Sequence, residues 1–88
     1  MILDDVFQFL HDTGSVRNHA IFSTDYLGHS PRYYDYIRCS RAKPSLRSLL
    51  KLAMRLHDLA QATSCPDERD AAALLAHRVM TRALTRCR

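Results

Sequence analysis

The chain has 88 residues, 47% apolar and 25% charged, with a formal net charge of +4. These proportions fit one soluble globular domain with a small core, and only two Gly and three Pro argue against a loop-rich or all-β chain. No apolar run approaches the roughly 20 residues that span a bilayer, and the acidic start Met1-Ile2-Leu3-Asp4-Asp5 is unlike a secretory signal. A cytoplasmic protein without membrane association is therefore expected.

The pattern predicts an all-α, compact five-helix domain over residues 1–88, with a binding core in 1–62 and a long C-terminal helix in 63–88. The first helix covers about residues 3–12, with Leu3, Val6, Phe7 and Leu10 on one face and Gly14 as its stop. The second covers about residues 16–27, with Ile21, Phe22 and Tyr26 inward. Gly28 follows, where a residue tolerating positive φ suits the end of a helix.

Ser30 before Pro31 predicts a capped third helix over about residues 31–38, with Tyr33, Tyr34 and Ile37 at helical spacing. The stretch Ser40-Arg41-Ala42-Lys43 is too polar and short to be an element, and Pro44 disfavours helix at Lys43. Ser45 is expected to cap the fourth helix, with Leu46, Leu49, Leu50, Ala53, Leu56 and Ala60 as its apolar stripe. The fifth runs over residues 66–86, opened by Pro66 after Ser64 or Cys65. Asp67, Glu68 and Asp70 lie near its positive end, and Arg78, Arg82, Arg86 and Arg88 near its negative end.

Two apolar stripes run along that last helix. Ala72, Leu75, Val79 and Ala83 form one; Ala73, Ala76, Met80, Leu84 and Cys87 form the other. One stripe closes the core. The second is either half-wrapped by its own domain or a dimer surface, for which the candidates are Ala73, Ala76, Met80 and Leu84.

The segments Leu27-Gly28-His29-Ser30, Ile37, Pro44-Ser45-Leu46 and Leu49-Leu50-Lys51-Leu52-Ala53 together resemble the lambda-repressor/Cro-like (XRE-type) helix-turn-helix domain. The resemblance covers about residues 20–60, roughly half the chain. There are departures: Arg38 and Ser40 stand where an acidic residue and a glycine are common, the usual Gln near the start of the second helix is not evident, and residues 22–27 hold one extra residue. The resemblance makes residues 31–38 a recognition helix, with Tyr34 and Ile37 turned inward and the preceding helix lying across the nucleic-acid backbone. It implies base contacts from His29, Arg32, Tyr33 and Tyr36, and phosphate contacts from Ser30, Arg38, Arg41, Lys43 and Arg47.

Charge placement points the same way. Residues 1–30 carry one Arg against four Asp, net −3; residues 31–55 carry seven basic residues against Asp35, net +6; the remainder carries five Arg against four acids, net +1. Such concentration favours a polyanion, because neutralised phosphates release counterions.

Catalytic and metal chemistry find little support. Cys39, Cys65 and Cys87 form no close pair, and no two of His11, His19, His29, His57 and His77 stand four residues apart. His11-Asp12 and His57-Asp58 are adjacent helical residues that do not face each other. Asp4-Asp5 and Asp67-Glu68 lie at helix starts, and no Gly-rich phosphate loop or nucleophile elbow occurs. The expected protein is not an enzyme, takes no cofactor or metal, and shows no small-molecule ligand. It is a dimeric, double-stranded-DNA-binding transcriptional regulator, a repressor in type. The alternatives are a small helical protein–protein adaptor, such as an antitoxin or phage accessory protein, and an RNA-binding protein.

Overall fold

The computed structural model describes residues 2–86. Among these the chain is all-α: α1 (Ile2–Asp12), α2 (His19–Ile21, continuing as a π-helix over Phe22–Tyr26), α3 (Tyr33–Ser40), α4 (Leu46–Ala62) and α5 (Pro66–Arg86). Cys87 and Arg88, named above, lie outside the described residues.

α1 buries Ile2, Leu3, Val6 and Leu10, while Phe7 is half-buried against the same core. Gly14, at φ 81°, turns the chain out of the helix, and the amides of Ser15 and Val16 both donate to the Leu10 carbonyl, at 2.8 and 3.2 Å. α2 begins later than its apolar pattern suggests. Asn18 holds an extended backbone, and its side chain accepts a bond from the Ile21 amide at 2.9 Å. That cap fixes the start at His19, leaving Val16 buried but outside the helix.

From Phe22 the helix loosens to π geometry. The Leu27 amide reaches the Phe22 carbonyl, five residues back, at 3.2 Å. A π turn accommodates one residue more than an α turn between the same bonded groups, and this one spans Phe22–Tyr26. Phe22, Ser23, Tyr26 and Leu27 are thereby all buried. Gly28 then adopts φ 70° and turns the chain toward α3.

α3 starts at Tyr33 and not at Pro31. Pro31 and Arg32 form a turn closed by the Tyr33 amide donating to the Ser30 carbonyl at 3.0 Å. The N-cap residue, Arg32, makes no side-chain cap bond. Instead the buried Ser23 hydroxyl, reaching across from α2, accepts the Tyr34 amide at 3.0 Å. A cap from another helix replaces the local one expected of Ser30. α3 then runs two residues further than expected and ends on Arg41, at φ 55°.

Ser45 caps α4 as expected, accepting from the Ser48 amide at 3.2 Å. The buried stripe is Leu49, Leu52, Ala53, Leu56 and Ala60. Leu50 is on the exposed side, 38% accessible, and Leu46 is half-buried. At about 100° per residue Leu52 lies closer than Leu50 to the Leu49–Leu56 line, so Leu52 takes the core position. In α5, Ala72, Leu75, Val79 and Ala83 are buried, and the helix packs along α4 in the most extensive interhelical contact. An ion pair from Arg78 to Asp5, at 3.1 Å, ties α5 to α1.

Ser23→Ala tests the interhelical cap. Ser23 is fully buried and also donates to the His19 carbonyl at 2.9 Å. Its loss leaves the Tyr34 N–H unpaired and should cost about 1–3 kcal/mol, read as a lower urea midpoint at unchanged slope. Thr24→Ala removes an exposed hydroxyl bonded mainly within its own helix and should change stability by less than about 0.5 kcal/mol. Equal effects of the two variants exclude the capping role.

Candidate nucleic-acid interface

α3 divides sharply between its faces. Tyr34 and Ile37 point into the core, each 1% exposed. Arg32, Asp35, Tyr36 and Cys39, spaced three or four residues apart, form the opposite face and are all exposed. The side chains of Arg32 and Tyr36 have no ion pair, hydrogen bond or ring partner among the described residues, and Tyr36 is 62% exposed. Asp35 is held by His19, whose Nδ1 lies 2.5 Å from its carboxylate. The His19 ring in turn meets Phe7 and Tyr34 edge-on at 4.6 and 4.9 Å. Sequence reasoning singled out neither Asp35 nor Cys39 for this face, although their spacing from Arg32 and Tyr36 is the signal that places them there.

The other two residues expected to contact bases are joined to each other. The Tyr33 ring stacks on His29, with centroids 3.9 Å apart and planes at 12°. The Tyr33 hydroxyl accepts the Ser45 amide at 3.0 Å, and His29 Nε2 lies 3.5 Å from the Ser45 hydroxyl. Tyr33 is half-buried and fastens α3 to the start of α4, so an outward, groove-facing side chain is not what the structure gives. The physical reason is tertiary: the amide of Ser45, at the start of α4, has no intrahelical partner, and the Tyr33 hydroxyl reaches it. His29 and Ser30 remain exposed.

The basic residues also separate. Arg38 turns toward α1, with Nε 3.5 Å from Asp4 and its guanidinium 5.6 Å from the centre of the Tyr34 ring. An internal carboxylate therefore occupies a cation expected to grip phosphate. Arg41, Lys43 and Arg47 are exposed and have no ion-pair partner among the described residues. Arg41 holds a left-handed backbone, uncommon outside Gly, Asn and Asp. On α4, Arg47, Lys51 and Arg55 stand four residues apart on the exposed side. The Lys51 stem covers Gly28 so closely that a Cβ there would lie 2.8 Å from Lys51 Cδ. The Arg55 guanidinium sits 5.3 Å from the Tyr26 ring centre. Lys51 and Arg55 thus flank the α2–α3 turn; their spacing of four and eight residues from Arg47 was the available signal.

Asp4 is the electrostatic hub of the inner face. It accepts the Tyr34 hydroxyl at 2.5 Å and pairs with Arg38. Burial, reinforced by this bond, holds the Tyr34 phenol well above its ordinary range. Burial also raises Tyr26, opposed by Arg55 and aided by Asp25.

The second α5 stripe is divided. Ala73 and Leu84 are exposed, whereas Ala76 and Met80 are half-buried against the core of their own chain. Met54 of α4, 65% exposed, joins Ala73, Ala76 and Met80 around a groove that also holds His57 and His77. Among the described residues no three His, Cys, Asp or Glu side chains are grouped to hold a metal, and no helix is long and apolar enough to cross a membrane.

The molecule is thus a five-helix all-α domain with an open, partly cationic face on α3 and its following loop. The chain belongs to DUF6626, a family of unknown function, whose model matches residues 3–87. No curated protein and no solved structure matches it.

Tyr34→Phe tests the Asp4 hub through alkaline stability. Below the ordinary phenol value of 10.0, folded and unfolded chains both keep the proton and the stabilisation is complete. Above it the unfolded chain ionises while the folded chain resists, so stability falls as pH rises. Urea midpoints of the wild type should therefore drop between about pH 9 and 11. Tyr34→Phe should be less stable by about 1 kcal/mol at neutral pH and lose less on going alkaline. Parallel pH curves for the two proteins count against this assignment.

Proposed function

We propose that the protein binds double-stranded DNA through α3 and acts as a transcriptional regulator, a repressor in type, working as a dimer. The observation that carries this reading is the α3 face itself. It offers an unpartnered guanidinium and an unpartnered phenol on a short helix, followed by a loop whose cations have no internal partner. Arg32 and Tyr36 suit base edges, with His29 beside them. Arg41, Lys43 and Arg47, with Lys51, suit phosphates, which position a protein without specifying sequence. The sequence likeness to helix-turn-helix domains supports the same assignment, and the π turn absorbs the one surplus residue in that comparison.

Steric occupation of an operator requires no further chemistry, and a two-fold dimer would read half-sites about one turn apart. The surface best suited to dimerisation is Met54 with Ala73 and Leu84, since Met80 and Ala76 serve their own core. The same exposed apolar side chains, including Leu74 at 60%, are the observation that favours an adaptor role instead.

Three outcomes are expected. First, random duplex DNA should bind at low salt, with a log–log salt slope of about −3 to −4 for roughly four neutralised phosphates. No binding, or a slope near zero, removes DNA as the partner. Second, Arg32→Ala should cost about 1–3 kcal/mol on the operator and flatten preference at one base position, whereas Lys43→Ala should weaken all sequences alike and reduce the slope by about one. The roles fail if Arg32→Ala weakens operator and random DNA by the same factor. Third, Met54→Glu with Leu84→Glu should leave the helical circular dichroism intact and halve the mass in sedimentation. A folded double variant with unchanged mass excludes this surface as the dimer contact.

A further inference from the structure

Arg41, Lys43 and Arg82 stand around one cavity of about 330 Å³, whose apolar lining is Ile2, Ala42, Pro44 and Leu49. The three cations come from the end of α3, the α3–α4 loop and the last turns of α5. All three are exposed, and among the described residues none of their side chains has an ion pair or hydrogen bond. The carboxylates of α1 that follow Ile2 are already engaged, Asp4 by Tyr34 and Arg38 and Asp5 by Arg78. Three like charges at one opening repel one another, and an anion between them relieves that repulsion.

The lining decides what kind of anion. Leu49 and Ile2 are buried core residues whose edges reach the cavity, Pro44 is half-buried, and no aromatic ring is present on which a base could stack. A bare phosphate uses the cationic rim and leaves the apolar lining wet. A ligand with a short hydrocarbon body covers it. The volume lies at the small end of ligand pockets, about 300–1,000 Å³, so the body is short.

We propose that this cavity binds a small amphipathic anion, its head paired with Arg41, Lys43 and Arg82 and its apolar body laid against Ile2, Pro44 and Leu49. The site goes beyond the DNA-binding reading and does not rest on it.

The test is an amide-resolved NMR titration of the full chain with octanoate, octanol and inorganic phosphate. Octanoate carries both head and body, octanol the body alone, phosphate the charge alone. Octanoate should saturate shifts at Ala42 and Leu49, while octanol and phosphate each need about tenfold more ligand, the factor expected for losing one charge-assisted contact. Arg82→Gln should weaken octanoate by about tenfold with helicity unchanged. Should that variant fold poorly, Thr85→Glu at the same rim sets a carboxylate beside the head and should weaken octanoate similarly. The proposal is overturned if octanoate gives no saturable shift, or if octanol matches octanoate. It is also overturned if phosphate matches octanoate, or if a folded rim variant binds octanoate as the wild type does.

Discussion

One buried hydroxyl joins α2 to α3. Ser23 Oγ donates to the His19 carbonyl and accepts the Tyr34 amide, so it is bonded to both helices at once. The Ser23 carbonyl accepts the His29 amide at 3.0 Å, so the same residue also closes the intervening turn. Buried polar groups tolerate no loss of partner, and each of these bonds therefore constrains the others. The π turn makes the arrangement possible by holding Phe22 and Tyr26 on the core side together with Ser23. Phe22 in turn meets Phe7 and Tyr34 at 5.5 and 4.9 Å. What α3 presents to solvent follows from that joint: with Tyr34 fixed inward, Arg32 and Tyr36 have nowhere to point but out.

Much of the fold was legible because helical punctuation is local. Gly14 and Gly28 both take positive φ, Ser45 caps α4 through its own hydroxyl, and Pro66 opens α5. Each of these needs only its neighbours in sequence. Ser30-Pro31 has equally good local chemistry, yet the helix starts at Tyr33, because Ser23 from another helix supplies the bond. No local pattern announces a partner 11 residues away. Leu52, not Leu50, takes the core position, and there the helical period alone carries the choice.

The candidate site was legible in composition more than in geometry. The excess of cations over residues 31–55 is plain in the sequence, but their division of labour is tertiary. Arg38 is drawn to Asp4, 34 residues earlier in the chain, and Tyr33 is drawn to the start of α4. Neither engagement is visible in a list of residues, although Arg38 stays exposed and Tyr33 half-buried. The open face is consequently narrower than the charge count implies: Arg32 and Tyr36 beside α3's exposed side, then the cations of the loop and α4.

Arg41 and Lys43 have a double position. They belong to the loop assigned to phosphate contact under the DNA-binding reading, and they also rim the cavity over Ile2, Pro44 and Leu49. A cation satisfied by an anion in the cavity is no longer free to neutralise a phosphate, since each guanidinium or ammonium has one charge to offer. Where both readings hold, an anion in the cavity and a duplex compete for these two cations, and by linkage the coupling acts equally in both directions. The left-handed backbone at Arg41 fits such a shared role. A glycine would adopt φ 55° with less strain, but it would remove the side chain that rims the cavity.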